Sequence, residues 1–218
     1  MTAALDRGRL VGWTAVVGVL TLLGYASRAA EGKPPADAAY RYSTAAAGLV
    51  QYAIILAVVL AIARPRWDLL ALRRPRGYRR MLAAAALAFV AVYVTSAIVA
   101  AYSDPGKEQG LTPTDWQPDR AVAFVVNFAV FVAVAPAIEE LLFRGLGYSL
   151  LAPLGSLTAI LWIGIAFGLA HGLVEGLPIL IVFGAGLAFV RARSQSVYPG
   201  MVVHATFNAI ALVVSVTT

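Results

Sequence analysis

Two adjacent carboxylates and an arginine, Glu139, Glu140 and Arg144, stand in the stretch Ala135–Gly145, whose other residues are apolar enough for lipid. An ionisable side chain at the centre of a bilayer costs about 2.5–3.5 kcal/mol on insertion scales, so a cluster of them has to be compensated or used. On a helix Glu140 and Arg144 share a face and can pair, whereas Glu139 points about 100° away from Glu140. The two carboxylates therefore have different jobs. A buried Glu–Arg pair acting only as helix glue is the structural alternative. The chain's two histidines, His171 and His204, each lie in an uncharged apolar run. Phe167 and His171 are four apart, as are His204 and Asn208, so each pair shares a helical face. Pro136 removes a backbone donor just before the carboxylates and helps open a polar pocket there.

Groups of these types suit hydrolysis, which needs an activated water, a stabiliser for the developing oxyanion and a proton donor for the leaving group. In one arrangement Glu140, assisted by His171, deprotonates water while His204 and Asn208 hold the oxyanion. In the other, His171, His204 and Glu140 ligate zinc, and the second glutamate serves as base. There is no His-Glu-x-x-His motif and no cysteine, so zinc would need ligands gathered from separate helices. The cofactor is therefore none or zinc, with metal-free hydrolysis the preferred reading.

The ordered series Glu139-Glu140-x-x-x-Arg144, Phe167-x-x-x-His171 and His204-x-x-x-Asn208 resembles the CPBP family of intramembrane proteases, the Rce1-like CAAX-prenyl endopeptidases also called the Abi family. The resemblance spans roughly residues 131–212, with all three motifs intact. It implies an intramembrane endopeptidase whose site residues are Glu139, Glu140, Arg144, His171, His204 and Asn208, with Phe143 and Phe167 as candidates for substrate contact. It implies a membrane-embedded or lipid-modified polypeptide as substrate, cut in a C-terminal tail near a lipid anchor or in a leader. Family members proposed to scaffold or regulate other membrane proteins supply the alternative function. A proton-coupled carrier is a weaker rival, because carriers usually show repeated halves and none is visible.

Composition sets the frame. Of 218 residues 61% are hydrophobic and 13% charged, against about 25% charged in soluble domains, and mean hydropathy is +0.80. The class is an all-α polytopic transmembrane bundle forming one integral membrane domain over 1–218, with its motif-bearing core at about 121–216. Absence of cysteine excludes disulfides and thiolate chemistry. The net charge of +6 sits beside apolar spans, where it marks the cytoplasmic side rather than nucleic acid. Small size, short loops and abundant alanine and arginine point to a bacterial plasma membrane with a cytoplasmic N-terminus.

Stepping along the chain, spans are expected from residues 10, 44, 81, 121, 156, 177 and 199, with an eighth if Pro136 divides the fourth. The first resembles a signal peptide but reads as a retained anchor, and its Gly12, Gly18 and Gly24 favour close packing. The connector 27–43, with Lys33 and Pro34-Pro35, is expected to be solvated. So is the acidic loop 102–120, with Pro105-Gly106 and Pro113 as turn signals. The segment 64–80 carries seven arginines against Asp68 and reads as a cytoplasmic loop, with Trp67 and Tyr78 as interfacial anchors. Anionic lipid or an acidic substrate tail is the functional reading of that segment. Ser156 is the expected N-cap of the fifth span, and Glu175 is expected at the outer interface. One difficulty stands: His204 lies near the inner end of its helix, whereas His171 lies far from the inner end of its own.

Overall fold

The computed structural model describes residues 5–32, 35–109 and 115–217; Lys33, Pro34 and Pro113 lie outside them. Among the described residues the chain is helical throughout its regular structure, with no strand. Seven principal helices follow in order. They are α1 (Arg7–Glu31), α2 (Tyr42–Ala63), α3 (Tyr78–Ala100), a composite α4 (residues 121–151), α5 (Ser156–Ala170), α6 (Leu177–Ser194) and α7 (Tyr198–Thr217). Six are long and apolar enough to cross a membrane, and α5, at 15 residues, is a shorter apolar helix. This is an integral membrane protein, an all-α bundle.

Helix α4 is the hub. About 39% of the most apolar stretch of α4 and of α6 is buried inside the protein, against 11% for α1, 17% each for α2 and α3 and 22% for α7. Helix α4 packs against α1, α2, α5, α6 and α7, while α6 lies along both α5 and α3. The core face of α4, Leu142, Phe143 and Leu146, meets Ile163, Phe167 and Leu187 at near-zero exposure. The seam between α5 and α6 is made by small residues: a Cβ on Gly164 would lie 2.8 Å from the Ile181 carbonyl, and one on Gly184 would lie 2.9 Å from Phe167.

Pro136 does not divide α4, so the described residues hold no eighth span. The helix passes through it by widening: π-helical Val130–Val134 and Leu141–Gly147 flank an α-helical Ala135–Glu140. In π register the Phe131 carbonyl would look to the nitrogen of residue 136, which in proline carries no hydrogen. Asn208 of α7 supplies the missing donor, its Nδ2 lying 2.9 Å from that carbonyl. At the second π segment, Trp13 of α1 donates from Nε1 to the Leu142 carbonyl at 3.0 Å. A Cβ on Gly147 would fall 2.6 Å from the Trp13 ring, so this helix pair closes only over glycine. The widened turns of α4 are therefore clasped from both sides.

Several local expectations change on folding. Gly24 of α1 crosses Gly172, whose φ of 62° is left-handed, with backbone on backbone; a Cβ on Gly12 would meet Ile62 at 3.6 Å, whereas one on Gly18 would meet open space. Ser156 does not cap α5, since the N-cap is Gly155 and the Ser156 hydroxyl pairs with Tyr148 at 3.0 Å. The connector before α2 is not simply solvated: Tyr40 is buried with Ala39 and Phe124 in a second small core. Nor is the acidic loop. Glu108, on the one-turn helix Pro105–Gln109, is 3% exposed and accepts from the Val174 and Gly176 amides at 2.7 and 2.9 Å. Arg28 stands 3.6 Å from the same carboxylate and donates to the Gly172 carbonyl at 2.8 Å. Glu175, half-buried, accepts from the Asp104 amide at 3.1 Å.

The arginine-bearing segments gather at one end. Arg73 donates to the Gln195 carbonyl, the Arg76 amide to that of Ser194, and Arg9 to those of Ile62 and Arg64. Trp67 and Tyr78 are exposed there, yet Leu69, Leu70 and Ala71 fold inward and are buried. They cover the α6–α7 turn, where Ser194, Ser196 and Val197 have no exposure and the Val197 amide reaches the Ala71 carbonyl at 3.2 Å. Helix α7 thus starts beneath a protein cover rather than at a free edge. This recess offsets the difference in helix position between His204 and His171.

Candidate active site

Glu140 and Arg144 are both fully buried and pair through Oε1 and Nη1 at 2.8 Å, one helical turn apart. Arg144 also donates to the Gly184 carbonyl at 2.9 Å and lies 4.4 Å above the Phe167 ring. The same Glu140 oxygen is 3.2 Å from His204 Nδ1. Its other oxygen has no hydrogen-bond partner and lies against Gly200 so closely that a Cβ there would collide with it. No side of Glu140 is open to a substrate.

Glu139 has different partners and more exposure. Its Oε1 accepts from the Tyr52 hydroxyl of α2 at 2.7 Å, and its Oε2, buried without a hydrogen-bond partner, faces both histidines. His204 Nε2 is 3.7 Å away and His171 Nε2 is 3.9 Å away. The Glu139 side chain keeps 13% exposure and that of His171 25%, so this cluster has an opening.

The tautomers follow from the partners. His171 Nδ1 lies 2.7 Å from the Phe167 carbonyl, an acceptor only, so Nδ1 carries the hydrogen and Nε2 presents a lone pair. His204 Nδ1 faces the Glu140–Arg144 pair and donates to Glu140, leaving its Nε2 lone pair toward Glu139. Two imidazole lone pairs and a carboxylate oxygen therefore converge with no donor among them. A water, with two hydrogens, complements such a set.

Helix register explains the convergence. His171 ends α5 at the C-cap, where its ring lies tilted by 50° against Phe167 with centroids 4.5 Å apart. His204 projects from the second turn of α7 between Phe167 and Phe183, at 5.7 and 5.0 Å. Phe143 and Phe167 are 2% and 0% exposed, so they hold these groups from behind and offer a substrate no surface. Asn208 lies on the same helix as His204, with its amide on Phe131.

The zinc set His171, His204 and Glu140 is not assembled: His171 faces Glu139, and the Glu140 oxygen nearest His204 is also bonded to Arg144. Among the described residues no three His, Cys, Asp or Glu side chains are arranged to hold a metal ion. Tyr52 and Phe183 complete the cluster, and neither was singled out by sequence. The only signal for Tyr52 is a hydroxyl inside a largely apolar span, next to Gln51.

The fold and site define a class: a helical integral membrane protein with a buried Glu–His cluster at the hub of its bundle. Residues 121–210, which run from the start of α4 into α7, match the family model of type II CAAX prenyl endopeptidase Rce1-like, in agreement with the motif resemblance. The match supports a CAAX-type intramembrane endopeptidase in general, with a membrane-embedded or prenylated substrate. No curated protein and no solved structure matches the chain.

Proposed function

We propose that this protein is an endopeptidase that cuts a lipid-anchored or membrane-embedded polypeptide within the bilayer, with Glu139 rather than Glu140 as general base. The observation that carries this is the convergence of Glu139 Oε2 with the two histidine Nε2 atoms at 3.7 and 3.9 Å. A water held there donates one hydrogen to Glu139 and the other to His171, which aims its lone pair at a scissile carbonyl. Glu139 takes the first proton as the water attacks, and returns it to the leaving amine. Tyr52 fixes the orientation of the carboxylate. The second N–H of Asn208 Nδ2 serves the developing oxyanion, and His204, its Nδ1 on Glu140, bounds the water through Nε2. Glu140 and Arg144 position His204 and do not touch substrate.

The reading is tested with the full chain reconstituted with a prenylated C-terminal peptide. Glu139→Gln should reduce cleavage by about 10³-fold, within the range for loss of a positioned acid–base group, with thermal stability unchanged. Glu139→Gln cleaving like wild type would overturn the assignment, and an unchanged cellular phenotype would favour a scaffold. Metal analysis decides the mechanism. Chelation without effect is expected, whereas stoichiometric zinc with chelator-sensitive turnover would sink the metal-free version.

A further inference from the structure

We infer that the arginine-bearing end of the bundle holds a binding site for a phosphate group, supplied by the headgroup of an anionic lipid. A cavity of about 240 Å³ lies there, lined among others by Arg66, Asp68, Arg73, Tyr148, Ser149 and Arg191. It shares no residue with the Glu139 cluster. The space exceeds the roughly 30 Å³ of a water and falls below a drug-sized pocket, which suits a phosphate with part of its ester and a few waters.

The central observation is Arg191. It is 3% exposed, its Nε donates to the Arg144 carbonyl at 3.1 Å, and its Nη2 reaches the Ser149 hydroxyl at 3.5 Å. The guanidinium stacks on Tyr148 with 5.1 Å to the ring centroid. Nη1 is buried and has no hydrogen-bond partner, and among the described residues no carboxylate stands in ion-pair distance of this side chain. A buried cation with an unused donor at the wall of a cavity is costly unless an anion meets it. Arg73, with its Nε on the Gln195 carbonyl, supplies a second cation at the rim. Asp68 is the one acid of the lining, and both its oxygens are taken by Arg66 at 3.0 Å. Three arginines against one aspartate leave the lining with net charge +2, from +3 and −1.

The surroundings favour lipid as the source. Trp67 and Leu72, on the segment that forms the rim, are exposed, as are Leu154 and Leu157 beyond Ala152 of the lining. An aromatic and aliphatic fringe beside arginines is the composition of a membrane interface, where a headgroup is polar and its chains are not.

The test places the full chain in phosphatidylcholine nanodiscs with and without phosphatidylglycerol, and reads thermal unfolding and lipid retained in native mass spectra. Phosphatidylglycerol should raise the melting temperature by about 5 °C and remain bound. Arg191→Gln and Arg73→Gln should each remove more than half of that shift. Arg73→Gln covers the case in which losing the Arg144 contact unfolds Arg191→Gln. Asp68→Asn should enlarge the shift, a sign that general destabilisation would not produce. Inorganic phosphate matching the effect in pure phosphatidylcholine would support the same chemistry with solution phosphate as its source. No shift from either probe, or shifts retained by both arginine variants, would overturn the site. Stabilisation by an acidic peptide alone would overturn it in favour of a polypeptide tail.

Discussion

Glu108 and the Glu139–Glu140 pair are carboxylates at two regions of one bundle, and they are satisfied in opposite ways. Both oxygens of Glu108 accept backbone amides of the α5–α6 turn, with Arg28 beside them. That carboxylate has nothing left to give, and its work is to pin the turn that follows His171. In the hub of the bundle, Glu139 and Glu140 each have one oxygen committed and one without a hydrogen bond. Burial and charge are common to both regions. The uncommitted oxygen, and what it faces, separates chemistry from architecture: imidazole lone pairs for Glu139, the Gly200 backbone for Glu140.

Glu139→Gln and Glu108→Gln should separate the two regions most sharply. The first should reduce cleavage by about 10³-fold and spare stability. The second should cost about 1–3 kcal/mol by weakening charge-assisted bonds to buried amides. Cleavage by the protein that remains folded should then be close to wild type, read as turnover normalised to folded fraction at a temperature well below melting. A Glu108→Gln variant that is stable but inactive would erase the distinction.

Arg144 tests the interior pair from the other side. Arg144→Met strands Glu140 as a buried charge at full desolvation, and breaking such a pair costs about 3–5 kcal/mol. Adding Glu140→Gln to Arg144→Met should recover much of that loss, because no isolated charge is left. Thermal unfolding of the two single variants and the double variant measures the coupling. An additive result would mean that the pair is not the unit described here.

Much of this arrangement was legible before folding. Glu140 and Arg144 were read as a pair from their spacing of one turn, and the two carboxylates were given different jobs from the 100° between neighbours. Which of them faces the histidines was not legible, because that depends on the rotation of α4, and α4 is widened by two π segments that shift its register. Pro136 looked like a break for the same reason. A proline removes one donor, but the sequence does not show that Asn208 and Trp13 supply donors to the widened turns from α7 and α1. Glu108 reads in sequence as part of a solvated acidic loop because its partners are backbone amides 66 and 68 residues away, and backbone leaves no trace in composition. Tyr52 escaped for a related cause: its partner is one oxygen on another helix.

Tyr52→Phe deletes only the hydroxyl that orients Glu139, and a fall in turnover of about tenfold with unchanged KM is expected, since misorientation of a catalytic group is felt in the chemical step. A rise in KM alone would instead place Tyr52 against the substrate.

The smallest effect is expected at the surface pair that most resembles Glu140–Arg144 in sequence. Asp37 and Arg41 are also one turn apart and bond at 2.7 Å, with Arg120 adding a second contact at 3.1 Å. The hydrogen bond from Arg41, with help from Arg120, holds the Asp37 carboxyl below its ordinary value of 3.8 against the weaker pull of desolvation. A lowered carboxyl stabilises the fold above its ordinary pKa and loses that contribution as pH falls through the folded value. Asp37→Asn should therefore melt slightly below wild type at pH 7, and the difference should vanish under acid conditions. The groups are exposed to water, where ion pairs contribute little, so the offset should approach the resolution of a melting curve and shrink further in salt. A large salt-resistant loss at Asp37 would show that solvent access does not separate the two Asp/Glu–Arg turns, and the contrast between hub and rim would have to be drawn from geometry alone.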